Sequence, residues 1–227
     1  MDCPVRFYFE QIVRVPSAKS DTLAFGNAVH AALHQLYERM KRDPKQQFPT
    51  LEVFIGDFER EMHRTEDAFT VKQFENRMVL GHQLLTDFYT EYVHRLNKVA
   101  VTEYMVSKTV MDGVPITGRF DKLEFNGKHV HVVDYKTGGI KNAKPSLDGP
   151  SDKNQDGGDY WRQIIFYKVL LDSQKQKDWK MTSGEMLFLE RDEKGEVFSR
   201  HYDITPEEVG IVKAQIKTSP FSSRSKN

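Results

Sequence analysis

Two aspartates, Asp121 and Asp134, flank an Asn126-Gly127 dipeptide within GRFDKLEFNGKHVHVVDYKTGG, the stretch from Gly118 to Gly139. Asn-Gly between alternating apolar runs is a strong signal for a tight hairpin. The turn lies midway between the aspartates, so the hairpin can set the two carboxylates opposite each other. Paired carboxylates repel and lose hydration, a cost that a cation between them removes. A hard, oxygen-seeking divalent ion suits such a site, and Mg²⁺ needs only one or two carboxylates besides water and phosphate. Lys136 stands two residues beyond Asp134, so on an extended strand both side chains share a face. Asp-x-Lys then joins a metal ligand to an ammonium. A metal there would activate a bound water and neutralise phosphate charge, and the ammonium would orient that water and stabilise developing negative charge. The competing reading is a pair of solvated strand-end charges. Parity favours a cleft: Val130 and Val132 share the face of Asp134 and Lys136, which therefore begins apolar and ends charged. His129 and His131 fall on the opposite face and are poor ligand candidates.

The elements that must position these groups follow from the hydrophobic period. Up to about residue 98 the period is helical. Pro4 opens a first helix on Val5, Tyr8, Phe9, Ile12 and Val13, and Thr22 is placed to cap a second on Phe25, Val29, Leu33, Leu36 and Met40. A third is expected over Leu51 to Arg64, and a longer one from about Val71 to Leu96. From Val99 the period becomes 2, in three β-rich runs separated by Asp112-Gly113 and Asn126-Gly127, which predicts an antiparallel meander. Gly138 to Asp159 has no apolar periodicity and reads as a long loop, of the kind that serves as a lid or is disordered. A helix resumes near Tyr160, followed by EMLFLE and VFSRHYDI as strands around Glu193-Lys194-Gly195, and a last helix capped by Thr205 with Pro206 at its first position. The layout is a helical part over 1–98, an α/β core over 99–217 and a tail over 218–227, within one domain.

Composition narrows the function classes. The 227 residues carry 33 basic and 33 acidic side chains, so a sequence-blind polycation is excluded and any positive charge must be local. Lys122, Lys128, Lys136, Lys141 and Lys144 offer such a basic strip near the proposed site, and Arg119 is a candidate for a phosphate contact. The single cysteine, Cys3, rules out an internal disulfide framework and a four-thiolate zinc or iron–sulfur site within one chain. No apolar run approaches the roughly 20 residues that span a bilayer, and the first residues lack the shape of a signal peptide, so a cytoplasmic protein without membrane partners is expected.

GRFDKLEF, then VVDYKTGG, then QIIFYKVLL resemble, in order, the core motifs of the PD-(D/E)XK nuclease superfamily, in particular its RecB-like branch. Gly26-Asn-Ala-Val-His30 is similar to the branch's upstream G-x-x-x-H, and CPVRFYFE to its Cys-Pro and aromatic start. The resemblance runs from Cys3 to about Leu189. It implies a restriction-endonuclease-like α/β core, a mixed central sheet flanked by helices with an N-terminal helical region. It implies His30, Asp121 and Asp134 as ligands of Mg²⁺ or Mn²⁺, with the backbone carbonyl of Tyr135, and Lys136 as the catalytic lysine. Gln163 and Tyr167 would support the site and contact the DNA backbone; their i,i+4 spacing independently puts them on one helix face. Glu103 occupies the place of a core acidic residue. Some relatives hold an iron–sulfur cluster through one N-terminal and three C-terminal cysteines, but this sequence has no C-terminal cysteine, so no such cluster is expected.

The function so implied is metal-dependent hydrolysis of DNA by a metal-activated water, within a repair or recombination module whose helicase motor lies on the same parent polypeptide. No Walker-type G-x-x-x-x-G-K-[ST] occurs in the sequence, so that motor would be elsewhere on the polypeptide. The alternative is a catalytically silent DNA-binding module of the same fold, and a third is a metal-dependent hydrolase of other phosphate esters. The complete Asp, Asp, Lys and His set speaks against a mere grip, which needs no metal-ligand cluster.

Overall fold

A computed structural model describes residues 20–174 and 177–218. The expected first helix over Pro4–Val13, the CPVRFYFE start and nearly all of the tail lie outside the described residues. The chain enters as three helices, α1 (Asp21–Arg42), α2 (Leu51–Arg64) and α3 (Val71–Tyr92), with α3 continued by a 3₁₀ turn at Val93–Arg95. Ser20, not Thr22, caps α1: its hydroxyl accepts from the Leu23 amide at 3.4 Å, and the helix begins one residue before Thr22. Thr70 and Gln73 close α3 with a reciprocal capping box.

Three strands follow, β1 (Ala100–Met111), β2 (Val114–Asn126) and β3 (His129–Lys136). They pair antiparallel in the predicted meander, with Asp112 at φ 50° and Gly113 at φ 88° in the first hairpin and Gly127 at φ 60° in the second. After β3 come a short helix α4 (Ile140–Ala143), a 3₁₀ turn at Lys144–Ser146 and then α5 (Asp159–Asp172). The chain crosses over α5 to β4 (Lys180–Phe188), parallel to β3, and returns through β5 (Phe198–Asp203) to α6 (Pro206–Thr218). The result is a five-stranded mixed sheet in the order β1-β2-β3-β4-β5.

Period 2 in the strands sorts side chains into two cores. Val133, Tyr135 and Leu187 face α1–α3, where Phe25, Phe54, Phe58, Leu85 and Phe88 are buried. Val130, Val132 and Phe120 face the other way, onto Trp161, Ile164, Ile165 and Leu170 of α5 and Val212 of α6. Gly184 of β4 lets α5 lie close, since a Cβ there would sit 2.7 Å from Cγ2 of Ile164.

The stretch from Gly138 to Asp159 differs from the long open loop its composition suggests. Ile140, Ala143 and Leu147 are buried in the α5-side core, and the Gly158 amide donates to the Asp148 carbonyl at 2.8 Å. A Cβ on Gly158 would lie 2.3 Å from the Ser146 carbonyl oxygen, so the segment folds back tightly on itself. Three apolar anchors, too few and too widely spaced to register as a periodic pattern, are enough to tie it down.

Candidate active site

The register Lys122↔Val133 continues one step outward to Asp121 opposite Asp134, at the end of β3. Both helical layers reach this end of the sheet: α1 brings His30 from one side, and α5 brings Gln163 and Tyr167 from the other. Together with Thr22, Arg119, Tyr135, Lys136, Thr137, Gly138 and Tyr160 they line a cavity of about 510 Å³.

One half of the site is a ligand cluster. His30 Nδ1 lies 3.2 Å from Asp121 Oδ1, the spacing of two donors at about 2.1 Å from one ion, roughly at right angles. Glu103 joins them, and one ligand atom from each of the three falls within 4.8 Å of the others. Glu103 reaches this place by an unusual backbone: its φ is 53°, left-handed for a non-glycine residue in the middle of a strand. Such a conformation costs of order 1–3 kcal/mol and persists where surrounding structure imposes it, most often at functional sites. Arg119 Nε holds Glu103 Oε2 at 3.1 Å, and the Tyr135 amide donates to Asp121 Oδ2 at 2.9 Å.

The other half is a hydrogen-bonded network around Asp134, which is 2% exposed. Its Oδ1 accepts from the Tyr167 hydroxyl at 2.7 Å and from Gln163 Nε2 at 3.0 Å. The Lys136 ammonium lies 2.7 Å from Oδ2 and donates to Gln163 Oε1 at 2.8 Å. Oδ2 is buried, with this ammonium as its ion-pair partner. Asp134 lies outside the three-residue ligand cluster but lines the same cavity as His30 and Asp121. A nitrogen and two carboxylates converging within that cluster fit a divalent cation of the Mg²⁺ or Mn²⁺ kind.

Electrostatics tell the same story. Burial, then the Asp121 charge, raises the Asp134 pKa, against the pull of Lys136 and Tyr167. Burial likewise raises Glu103, with Arg119 opposing and Asp121 reinforcing. At His30 burial favours the neutral ring, but the hydrogen bond to Asp121 and the fields of Asp121, Asp134 and Glu103 outweigh it and raise the pKa. Carboxylates that resist ionisation beside a histidine that holds its proton mark a site short of positive charge.

The sequence-derived residues fall as follows. His30, Asp121, Asp134, Tyr135, Lys136, Gln163, Tyr167 and Arg119 line one cavity, and Glu103 adjoins it through His30, Asp121 and Arg119. The basic strip loses Lys122, while Lys136 stands in the site itself. Lys122 is 3% exposed on the opposite face, paired with Glu124 at 2.8 Å between the rings of Tyr37 and Tyr135. Lys128 pairs with Asp178, and Lys141 with Glu193. Neighbours in a strand alternate faces, so Lys122 could not share the side of Asp121.

Tyr160 went unnoticed as a site residue. Its ring centre is 4.5 Å from the Lys136 ammonium. The signal was present in the 160, 163, 167 spacing, which is one face of a helix. Replacing Tyr160 with leucine is expected to lower turnover roughly 2- to 30-fold, the range of a partly desolvated cation–π contact. Phenylalanine should restore most of it, as single-turnover rates on the two variants would show.

Comparison with known proteins adds the following. The profile of the PD-(D/E)XK nuclease superfamily matches residues 1–219. A crystal structure from Eubacterium rectale, described only provisionally as an exonuclease, superposes with a TM-score of 0.60 at 12% identity, covering 96% of this chain and 72% of that one. At that identity the likeness speaks to the fold alone. The crystal structure of SSO0001 matches with a TM-score of 0.33 at 14% identity, over 95% of this chain and 85% of that one, too low to argue from. No curated protein matches.

Proposed function

Because the chain belongs to the PD-(D/E)XK nuclease superfamily, we propose that it is a Mg²⁺-dependent deoxyribonuclease that hydrolyses phosphodiester bonds at the cavity between α1 and α5. The observation that carries this reading is the junction of the two half-sites: a His30–Glu103–Asp121 cluster abutting the buried Asp134–Lys136–Gln163–Tyr167 network.

His30, Asp121 and Asp134 would hold the metal, with Glu103 and the Tyr135 carbonyl beside them. When bound, the metal supplies Lewis-acid neutralisation of phosphate charge and lowers the pKa of a coordinated water. The chain's own residues do the rest. Gln163 and Tyr167 fix Oδ1 of Asp134, while Oδ2 stands beside the Lys136 ammonium and would be shared with the cation. The Lys136 ammonium, held by Gln163 and the Tyr160 ring, stands ready to orient a nucleophilic water and to meet developing charge on a phosphate oxygen. Arg119, whose side chain is 55% exposed, can leave Glu103 for a phosphate.

The order of the sequence motifs supports placement in the RecB-like branch, and with it a role beside a helicase motor in cytoplasmic DNA repair. Among the described residues no helix is long and apolar enough to cross a membrane. End-labelled single- and double-stranded DNA incubated with Mg²⁺, Mn²⁺ or EDTA tests the activity. Cutting is expected with either metal, none with EDTA, and none from Asp134→Ala. DNA bound but uncut in every metal would instead favour a silent binding module, and cutting of free phosphate esters alone a different hydrolase.

A further inference from the structure

A groove of about 660 Å³ runs between α5 and α6, larger than the cavity that holds the carboxylates. Gln163 lines both, so the groove adjoins the proposed site. Phe166, Val212 and Ile216 give its lining an apolar part, and Arg162 and Gln215 a polar one. Phe166 is half-buried and lies one helical turn beyond Gln163, about 5–6 Å away at the level of Cβ. It is seated on Gly118 of β2, where a Cβ would lie 3.5 Å from the ring, so the platform is backed by the sheet. The volume falls in the range that accepts a small planar ligand.

The charge around the groove says which part of a nucleic acid it suits. Asp156 is part of the lining, and Arg162 is already engaged by Asp159 and by the Gly157 carbonyl at 2.8 Å. A phosphate gains little there, whereas a base gains contact with Phe166, Val212 and Ile216. Bases of a duplex are stacked and paired with one another, so the base that can lie on Phe166 is an unpaired one. We infer that this groove is a subsite for an unpaired nucleobase next to the scissile phosphate, stacked on Phe166.

This inference rests on the proposed nuclease activity, but its test separates the two. Binding of a fluorescein-labelled oligothymidylate, of an abasic oligomer of the same length and of a blunt duplex is measured with Ca²⁺ in place of Mg²⁺, on the full chain. Wild type is expected to prefer the oligothymidylate over the abasic oligomer by roughly tenfold or more. Phe166→Leu, which keeps an apolar side chain over Gly118 but removes the ring, should abolish that preference and leave duplex binding unchanged; Phe166→Trp should retain it. Equal preference in wild type and Phe166→Leu would overturn the inference. So would no preference in wild type, or an equal loss on all three ligands. Thermal melting of each variant checks that the fold is kept. Absence of Mg²⁺-dependent cutting by wild type would defeat the nuclease reading itself, whatever the binding shows.

Discussion

Lys136→Ala is expected to lower metal-dependent cleavage by about 10²–10³-fold, the usual cost of removing one preorganised donor from a site where charge develops. Three contacts hold this ammonium: Asp134 Oδ2 at 2.7 Å, Gln163 Oε1 at 2.8 Å and the Tyr160 ring at 4.5 Å. Its side chain is 17% exposed, so little water competes for it. Arginine should not substitute. The planar fork is larger than the ammonium and cannot keep both the carboxylate and amide contacts in the same space. A second consequence follows at Asp134, whose pKa the ammonium lowers. Without Lys136 that carboxyl holds its proton more firmly, so the variant should also need more metal. Single-turnover rates across a metal titration separate the two effects: saturating metal should recover the affinity defect but not the rate. A rate within a few-fold of wild type at saturating metal would remove Lys136 from the chemistry.

The legible part of this protein was the part governed by short-range rules. Asp112-Gly113 and Asn126-Gly127 demand left-handed turn residues, and the strands on either side of them pair as expected. Parity then placed Asp134 and Lys136 together, and helical spacing paired Gln163 with Tyr167. Where proximity along the chain was read without parity, the reading failed: Lys122 adjoins Asp121 in sequence but is buried on the other face of the sheet. Tyr160 depends on where the segment from Gly138 to Asp159 delivers the start of α5, and that path is set by the scattered anchors Ile140, Ala143 and Leu147. The backbone of Glu103 has no local signal at all. A glutamate at φ 53° inside a strand is imposed by what surrounds it, and nothing in AVTEYMVS announces a left-handed residue. The same is true of the groove beside the site, whose walls come from two helices that are distant in sequence.

The second large effect is on stability, and at the site its sign follows from the direction of three pKa shifts. Asp134, Glu103 and His30 are all raised in the folded chain. A group whose folded pKa exceeds its unfolded one binds more protons when folded, so its contribution is present at low pH and is lost as pH rises through the folded value. For the two carboxyls that loss starts above about pH 4, and for His30 above about pH 6.5. Metal-free protein in EDTA should therefore become less stable as pH rises from roughly 5 to 8. Glu185 is shifted down and acts in the opposite sense only at lower pH, and His34, shifted down by burial, opposes part of the slope below about pH 6.5. A divalent cation replaces the protons at the ligand cluster, so saturating Mg²⁺ should remove the slope and add about 2.7 kcal/mol at a hundredfold excess over its Kd. Glu103→Gln should flatten the slope in EDTA, because one of the three proton-linked groups is gone while the amide keeps nearly the same shape. Denaturant midpoints at several pH values, with and without metal, read all of this without any assay of cleavage. A metal-free stability that climbs above about pH 6.5, or an unchanged slope in Glu103→Gln, would mean that these groups do not form the cation site the geometry describes. The two outcomes are separable from catalysis: a chain that passes this test yet cuts nothing would still bind its metal where His30, Glu103 and Asp121 converge.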